Sequence, residues 1–424
     1  MQLQNVVWNQ TGRIYMADVT HEQTGTAPAE QGRLMLTGSL FFLVRMIIFT
    51  TLFFFPVYLK DMGFAGWPIG LLMGVDSLMT LLTTLPMGVS NDMFPSRKLV
   101  AGSFVALGAT YFALSFSTSF AVLLLLIMCY GAWYNLGQIS MRSLFFKTAR
   151  SQGKGRRFSR MAFAEHMGIA AGALLGGLLL GWLSFPSVFR VCGVLFLLIV
   201  PLGLLLPGTL AQIFEPAIYK KEIFRRDVVM FAVVTFLYTY HWGAEKTVYV
   251  LFLKESLGFS QAGIGIFIGL TVIALALSCL VYGRLLDRGT ASLRRLIIAG
   301  LGMSAGGHIL LALSQTQSQA WVFRIIHELG DASFMVFSYV MTSNLFSRAR
   351  VGGGAGFIAQ VAVFGTFVGA LASGAIMQGM GPRTAMIVAG ALSLADLFLV
   401  NRLDFGTVRI PPDDGQAADA GGHK

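Results

Sequence analysis

The chain has 424 residues; 55% are hydrophobic, only 12% are charged, and the mean hydropathy is +0.70. A water-soluble domain carries about 25% charged residues, so this composition excludes an ordinary soluble enzyme and sets most of the chain against lipid or other apolar helices. The net charge of +11 is spread over short loops between apolar runs, which argues against a nucleic-acid-binding patch.

Residues 1–33 are polar and lack the apolar stretch of a signal peptide, so they read as a loose cytoplasmic tail. Hydropathy predicts twelve spans, near 34–59, 68–90, 99–116, 120–145, 161–182, 187–206, 228–252, 262–283, 296–313, 319–345, 356–379 and 383–401. A helix needs about 20 residues to cross a bilayer. Arg45 sits midway along the first span, in FFLVRMIIFTTLFFF. A lone cation at that depth costs about 2.5–3.5 kcal/mol to insert, so it needs a partner, either an anionic substrate or a counter-ion such as Asp76. The second span closes with GVSNDMFPSRK, Gly88 to Lys98. The fourth holds Tyr134 and Asn135 and ends near Arg142. Glu165 and His166 open the fifth, where a structural cluster at the rim is expected. The fifth continues as GIAAGALLGG, whose Gly168, Gly172, Gly176 and Gly177 have the spacing of a close helix contact.

Pro56, Pro86 and Pro201 punctuate spans one, two and six. Cys129, Cys192 and Cys279 are scattered within spans without a CxxC pattern and read as buried thiols. The polar loop at 207–227, PGTLAQIFEPAIYKKEIFRRD, divides an N-terminal lobe, 34–206, from a C-terminal lobe, 228–403. The seventh span reads YTYHWGAEKTVYV, with His241 and Glu245 at i, i+4 on one face. The eighth closes with VYGRLLDRGTASLRR. His308, alone in an apolar stretch of the ninth, reads as an interior histidine. The tenth reads WVFRIIHELGDASFM, in which Arg324, His327, Glu328 and Asp331 recur at i, i+3, i+4 and i+7 as one stripe. Lipid does not tolerate such a stripe, so it is expected to face a central cavity and to handle protons. His327 and Asp331 have the spacing of a helical metal pair, but HELGD departs from HExxH, and no metal site or cofactor is assigned. The tail at 404–424 is expected to be disordered. Neither a Walker phosphate loop nor a Ser–His–Asp pattern occurs, so neither an ATP-driven pump nor an enzyme is expected.

One block of sequence is written twice. Gly63, Phe64, Ile69 and Gly70 of YLKDMGFAGWPIG find Gly258, Phe259, Ile264 and Gly265 of FLKESLGFSQAGIG 195 positions later. Gly88 and Asp92 find Gly283 and Asp287 at the same offset, and Gly168, Gly172, Gly176 and Gly177 find Gly365, Gly369, Ser373 and Gly374 at 197. A period this long is half a protein, and two parallel halves of apolar helices mark a transporter built of two lobes. With the N-terminus inside, the cytoplasmic loops collect Arg97, Lys98, Arg156, Arg157, Arg225, Arg226, Arg294, Arg295 and others, while the outer loops hold only Lys60, Lys254 and Arg383. That bias orients the chain, with both termini in the cytoplasm.

The two loop blocks resemble the cytoplasmic loop motif of the major facilitator superfamily: glycine, three residues, aspartate, then basic residues. Gly88, Asp92 and Arg97 carry it in the first copy, where Met93 and Pro95 replace a basic residue and a second glycine. Gly283, Asp287 and Arg288 carry it in the second, with the later glycine displaced to Gly289. GIAAGALLGG resembles the family's fifth-span motif, often associated with antiporters, with Ala173 in place of proline. The whole chain is also faintly similar to members of that superfamily from bacterial magnetosome membranes. The resemblance implies an all-α membrane protein of twelve transmembrane helices in two pseudo-symmetric six-helix lobes. It implies secondary transport by alternating access, a cavity between spans 1, 4, 7 and 10, and loop motifs that act as a gate latch.

Arg45, Tyr134, Asn135, His241, Glu245, Arg324, His327, Glu328 and Asp331 are the candidates for the substrate and proton pathway. Arg45 tilts the reading to an anionic or zwitterionic solute carried with protons. The alternatives are a drug or organic-cation antiporter, an iron or other metal transporter, and a membrane scaffold that no longer transports. The expected setting is a monomer in a bacterial inner membrane or a membrane derived from it. Its partners would be lipid, a small-molecule or ion substrate, and protons.

Overall fold

The computed structural model describes residues 7–8, 14–15, 27–148, 154–207, 224–346 and 351–403. The N-terminal lobe contains α1 (Ala27–Leu52), α2 (Phe55–Asp61), α3 (Trp67–Met93), α4 (Ser96–Leu114), α5 (Phe120–Thr148), α6 (Lys154–Leu179), α7 (Phe185–Leu198) and α8 (Val200–Leu204). In the C-terminal lobe α9 (Arg226–Ala244) runs through a π-helical turn (Glu245–Tyr249) into α10 (Val250–Leu257). Then follow α11 (Gln261–Asp287), α12 (Leu293–Leu313), α13 (Gln317–Leu345) and α14 (Val351–Val400). Ahead of α1, Val7–Trp8 pairs antiparallel with Ile14–Tyr15.

Prolines explain two of the interruptions. Pro56 has no N–H for the carbonyl of Leu52, so α1 stops and α2 restarts with Pro56 in its first turn. Pro201 does the same between α7 and α8, whereas Pro86 is absorbed within α3. In α14 Gly381, at φ 81°, followed by Pro382, divides the long rod into two. Counted this way, the described residues form twelve rods, six to a lobe. Eight segments are long and apolar enough to cross a membrane by length and composition alone.

Helix α1 begins at Ala27 rather than near 34, and α6 at Lys154 rather than near 161. Hydropathy marks only the lipid-facing length, while helix-forming polar residues such as Glu30, Gln31, Lys154 and Arg156 continue the ladder into the interface. Most of the 207–227 loop and all of the 404–424 tail lie outside the described residues.

Small residues set the packing. Along α6, Gly168, Gly172 and Gly176 face the backbone of α1 at Phe42, Met46 and Thr50. Along α14, Gly365 and Gly369 face α9 at Phe236 and Tyr240. The lobes meet in two equivalent seams. A Cβ at Gly177 would stand 2.8 Å from the Cα of Gly265, and one at Gly374 would stand 2.7 Å from the Cα of Gly70. Both seams lie toward the face opposite the basic loops. There Lys60 pairs with Glu255 at 2.6 Å and Lys254 with Asp61 at 3.6 Å. Deeper in the α3–α14 seam, Gln360 Nε2 donates to Thr84 Oγ1 at 2.5 Å.

At the basic face the loop-motif glycines do not pack: a Cβ at Gly88 or Gly283 would meet nothing within 4 Å. Close approach at the opposite face leaves these positions apart in this conformation. Arg97 and Arg288 are exposed, and the side chains of Asp92 and Asp287 lie outside the described ones.

Candidate functional site

Arg45 is held within the N-terminal lobe. Its Nη2 meets Glu165 Oε2 at 2.8 Å, and its Nη1 donates to the Tyr134 hydroxyl. Arg142 reaches the same carboxylate oxygen at 3.6 Å. The partner of Arg45 is therefore Glu165 on α6 and not Asp76, because the glycine seam brings α6 against α1 at this level. Tyr134 stacks on Tyr130, with ring centroids 5.9 Å apart. The Arg45 side chain keeps 16% of its surface exposed. Asn135, one position on, is turned away. Its Nδ2 donates to Thr80 O, Thr83 Oγ1 and Thr84 Oγ1 at 3.0–3.1 Å and clamps α5 to α3.

Asp76 pairs across the lobes. Lys246 Nζ lies 2.6 Å from both of its carboxylate oxygens. Beside the pair is a cavity of about 40 Å³ lined by Thr51, Phe55, Met73, Tyr111, Tyr130 and Phe189. Neighbouring helix positions point about 100° apart, so Glu245 and Lys246 serve different lobes. The π-helical turn that starts at Glu245 sits where these two side chains diverge; such turns occur often at functional positions.

Glu245 belongs to the C-terminal lobe. Arg324 pairs with its carboxylate, with Nη2 3.3 Å from Oε2, and the same guanidinium reaches Glu328 Oε1 at 2.7 Å. His327 Nε2 lies 3.0 Å from Glu245 Oε1, and His308 Nδ1 lies 3.4 Å from it. Asp331 is the other centre. Its Oδ1 accepts from Tyr238 at 2.8 Å and Ser304 at 2.7 Å, and its Oδ2 accepts from Trp242 Nε1 at 3.0 Å. His241 Nε2 stands 3.4 Å from Oδ2.

The tenth-span stripe thus meets α9 and α12 inside the lobe. Arg324, His327, Glu328 and Asp331 are buried, none more than 5% exposed. The expectation that they line an open cavity does not describe this conformation. Only Glu245, with 14% of its side chain exposed, has appreciable access to the surroundings. The sequence pointed to the stripe and to the His241–Glu245 face. It read His308 as a lone interior histidine, saw Tyr238 and Trp242 only as neighbours of His241 in the seventh span, and missed Ser304; the four join the site only when three helices are brought together. It also placed Glu165 at the rim and did not join Asp76 to Lys246. The opposite signs of Glu245 and Lys246, side by side on one helix, were the available signal for that pair. Asp396 joins neither cluster: it is fully buried in α14 and neither of its oxygens has a hydrogen-bond partner.

The Major Facilitator Superfamily model matches residues 37–288 and again 231–420. The chain belongs to the major facilitator superfamily. It is a multi-pass membrane protein with the fold of that superfamily. It is 25% identical over 288 residues to the MFS-type transporter SLC18B1 of Mus musculus, covering 64% of this chain and 62% of that protein. With the same transporter of Rattus norvegicus the identity is 23% over 291 residues, covering 66% and 64%. The chain therefore spans somewhat less than two thirds of these relatives' length. Among solved structures, it resembles a bacterial homologue of the human lysosomal transporter Spinster in an inward-facing, occupied conformation. That match has a TM-score of 0.75 and 14% identity, over 92% of this chain and 100% of the other. The nucleoside transporter NupG matches with a TM-score of 0.71 and 15% identity, over 88% and 98%.

Proposed function

We propose that this protein is a proton-coupled secondary transporter of a small anionic or zwitterionic solute, working by alternating access in a bacterial inner membrane or one derived from it. The observation that carries this reading is the Arg45–Glu165 pair. A guanidinium with 16% exposure, held by a carboxylate and a phenol, offers a planar fork to an incoming carboxylate or phosphate. Binding such a group releases Glu165. Only the exposed Arg142, 3.6 Å away, then faces it; a carboxylate so weakly compensated in a low-dielectric site favours its neutral form, and in this reading each anion taken up brings a proton. The basic loops support a topology with both termini in the cytoplasm, and the packed opposite face supports reading this conformation as the cytoplasm-facing state, in a protein that works as a monomer.

Uptake into proteoliposomes from a panel of labelled anions tests this. Glu165→Gln should support exchange of the solute while losing acceleration by a pH gradient. Arg45→Lys should weaken binding by about tenfold or more. Wild-type behaviour of both Arg45→Lys and Arg45→Gln would sink the proposal.

The aromatic cavity beside Asp76 favours a second reading, export of an organic cation that displaces Lys246. Saturable uptake of cations and none of anions by the same vesicles would select it.

A further inference from the structure

Three histidines converge inside the C-terminal lobe. The ring centroids of His241, His308 and His327 lie 5.1 to 5.6 Å apart in every pairing, and none is more than 1% exposed. Two are oriented by the backbone. His327 Nδ1 faces the Ser304 carbonyl at 2.7 Å, and His241 Nδ1 faces the Tyr238 carbonyl at 2.5 Å. A carbonyl only accepts, so each Nδ1 carries a proton, and in the neutral ring each Nε2 presents a lone pair to the interior. What those lone pairs meet is carboxylate oxygen: His327 Nε2 lies 3.0 Å from Glu245 and 3.4 Å from Asp331, and His241 Nε2 lies 3.4 Å from Asp331. His327 Nε2 and both ring nitrogens of His308 are buried without a hydrogen bond.

Lone pairs turned on carboxylates, away from water, call for a cation between them. Charge balance says which kind. Glu245 and Glu328 share the guanidinium of Arg324, and Asp331 faces the histidines, so with neutral imidazoles three carboxylates stand against one cation and two negative charges are left uncompensated. From this geometry we infer that the cluster is a binding site for one divalent transition-metal ion, with His327 Nε2 shared between two possible ligand sets. In one, His241, His327 and Asp331 close on the ion; in the other, Glu245, His308 and His327 do. Within each set the ligand atoms lie within 4.8 Å of one another. Bonds of about 2.0–2.2 Å around a tetrahedral ion require only a small contraction from there. Imidazole Nδ1–H bonds to backbone carbonyls are the usual support for a ligand histidine. Mixed imidazole and carboxylate donors suit Zn²⁺, Co²⁺, Fe²⁺ or Mn²⁺, whereas Ca²⁺ and Mg²⁺ prefer oxygen alone. When Glu245 turns to the ion, Arg324 keeps Glu328. The site lies within one lobe, so it stands or falls separately from the transport reading.

The test is titration of tag-free, chelator-treated full-length protein in detergent with CoCl₂, followed by visible absorption, and with ZnCl₂, followed by calorimetry and thermal unfolding. The expected result is one ion per chain, tetrahedral Co²⁺ bands and a rise in Tm. His327→Ala, which removes the ligand common to both sets, should weaken binding by about 100-fold or more, since even supporting residues are worth roughly 10- to 100-fold, and a comparable loss in either Asp331→Asn or Glu245→Gln tells which set holds the ion. His166→Gln, in the other lobe, should leave binding unchanged. If His327→Ala does not fold, the polar, similarly sized His327→Gln takes its place. No Co²⁺ or Zn²⁺ bound by the wild-type chain overturns the inference. Equal affinity in wild type and the folded ligand variants overturns it too.

Discussion

The two lobes share their packing and differ in their chemistry. Gly177 on Gly265 and Gly374 on Gly70 are the same seam built twice, and the α6–α1 glycine contacts reappear as α14 on α9. The polar interiors have no such correspondence. The N-terminal lobe holds one arginine and one glutamate with 16% and 10% exposure. The C-terminal lobe gathers three carboxylates, three histidines and one arginine among α9, the π-helical turn, α12 and α13, all of them buried except Glu245 at 14% exposure. Duplication fixed the surfaces on which the lobes meet. In the function proposed above, the departures from it are where a solute or an ion is handled.

The sharpest way to break that contrast is to remove one cation from each lobe. Leaving a buried charge without its partner costs about 3–5 kcal/mol. Arg324→Gln strands Glu245 and Glu328 together and should reach that range, measured by thermal unfolding in detergent. Arg45→Gln should cost less than half as much, because Glu165 keeps Arg142 at 3.6 Å. Equal losses would show that the two interiors are energetically alike.

The seams come next. Adding a branched side chain where helices touch through glycine costs about 1–3 kcal/mol of closure. Gly374→Val and Gly177→Val should each shift the lobes toward opening at the face opposite the basic loops. A membrane-impermeant thiol reagent should then label a cysteine placed at Trp67 about tenfold faster in either variant. A large effect at one glycine and none at the other would mean that the repeat is not mechanical.

What was legible in the sequence follows the same division. The glycine periodicity, the repeat and the positive-inside bias gave the twelve rods and the two lobes, because each is a property of one helix and its neighbours in sequence. The stripe Arg324, His327, Glu328 and Asp331 was legible for the same reason. Its placement was not, since a helix pattern does not say whether a polar face meets water or other polar helices. The link from Arg45 to Glu165 spans 120 positions and that from Lys246 to Asp76 spans 170. Such pairs depend on which turns the glycines bring level, and that is set only by assembly.

The Asp76–Lys246 pair joins the two unlike interiors. Both groups are mostly buried, with side-chain exposure of 15% and 14%. Lys246→Gln should slow transport by leaving Asp76 unpaired, and Asp76→Asn with Lys246→Gln together should recover part of the rate. A double-mutant cycle over the four proteins measures the coupling, expected at about 0.5–3 kcal/mol for groups in contact. Strict additivity would reduce the pair to a coincidence of this conformation.

The smallest effect is expected where the repeat returns to symmetry, at the outer ends of α2 and α10. Lys60 and Asp61 correspond to Lys254 and Glu255, and each lysine pairs with the other copy's acid. These reciprocal pairs exist only while that face is closed, so they favour the closed state. They are also exposed, with side chains 36–64% accessible, and exposed pairs are worth about 0.2–1 kcal/mol each and are screened by salt. Lys60→Glu should therefore change the transport rate by no more than about fivefold. Lys60→Glu with Glu255→Lys should restore it, and raising the salt concentration should mimic the single change in the wild type. A tenfold or larger loss that salt does not reproduce would place these residues in a rigid gate rather than in a weak electrostatic one.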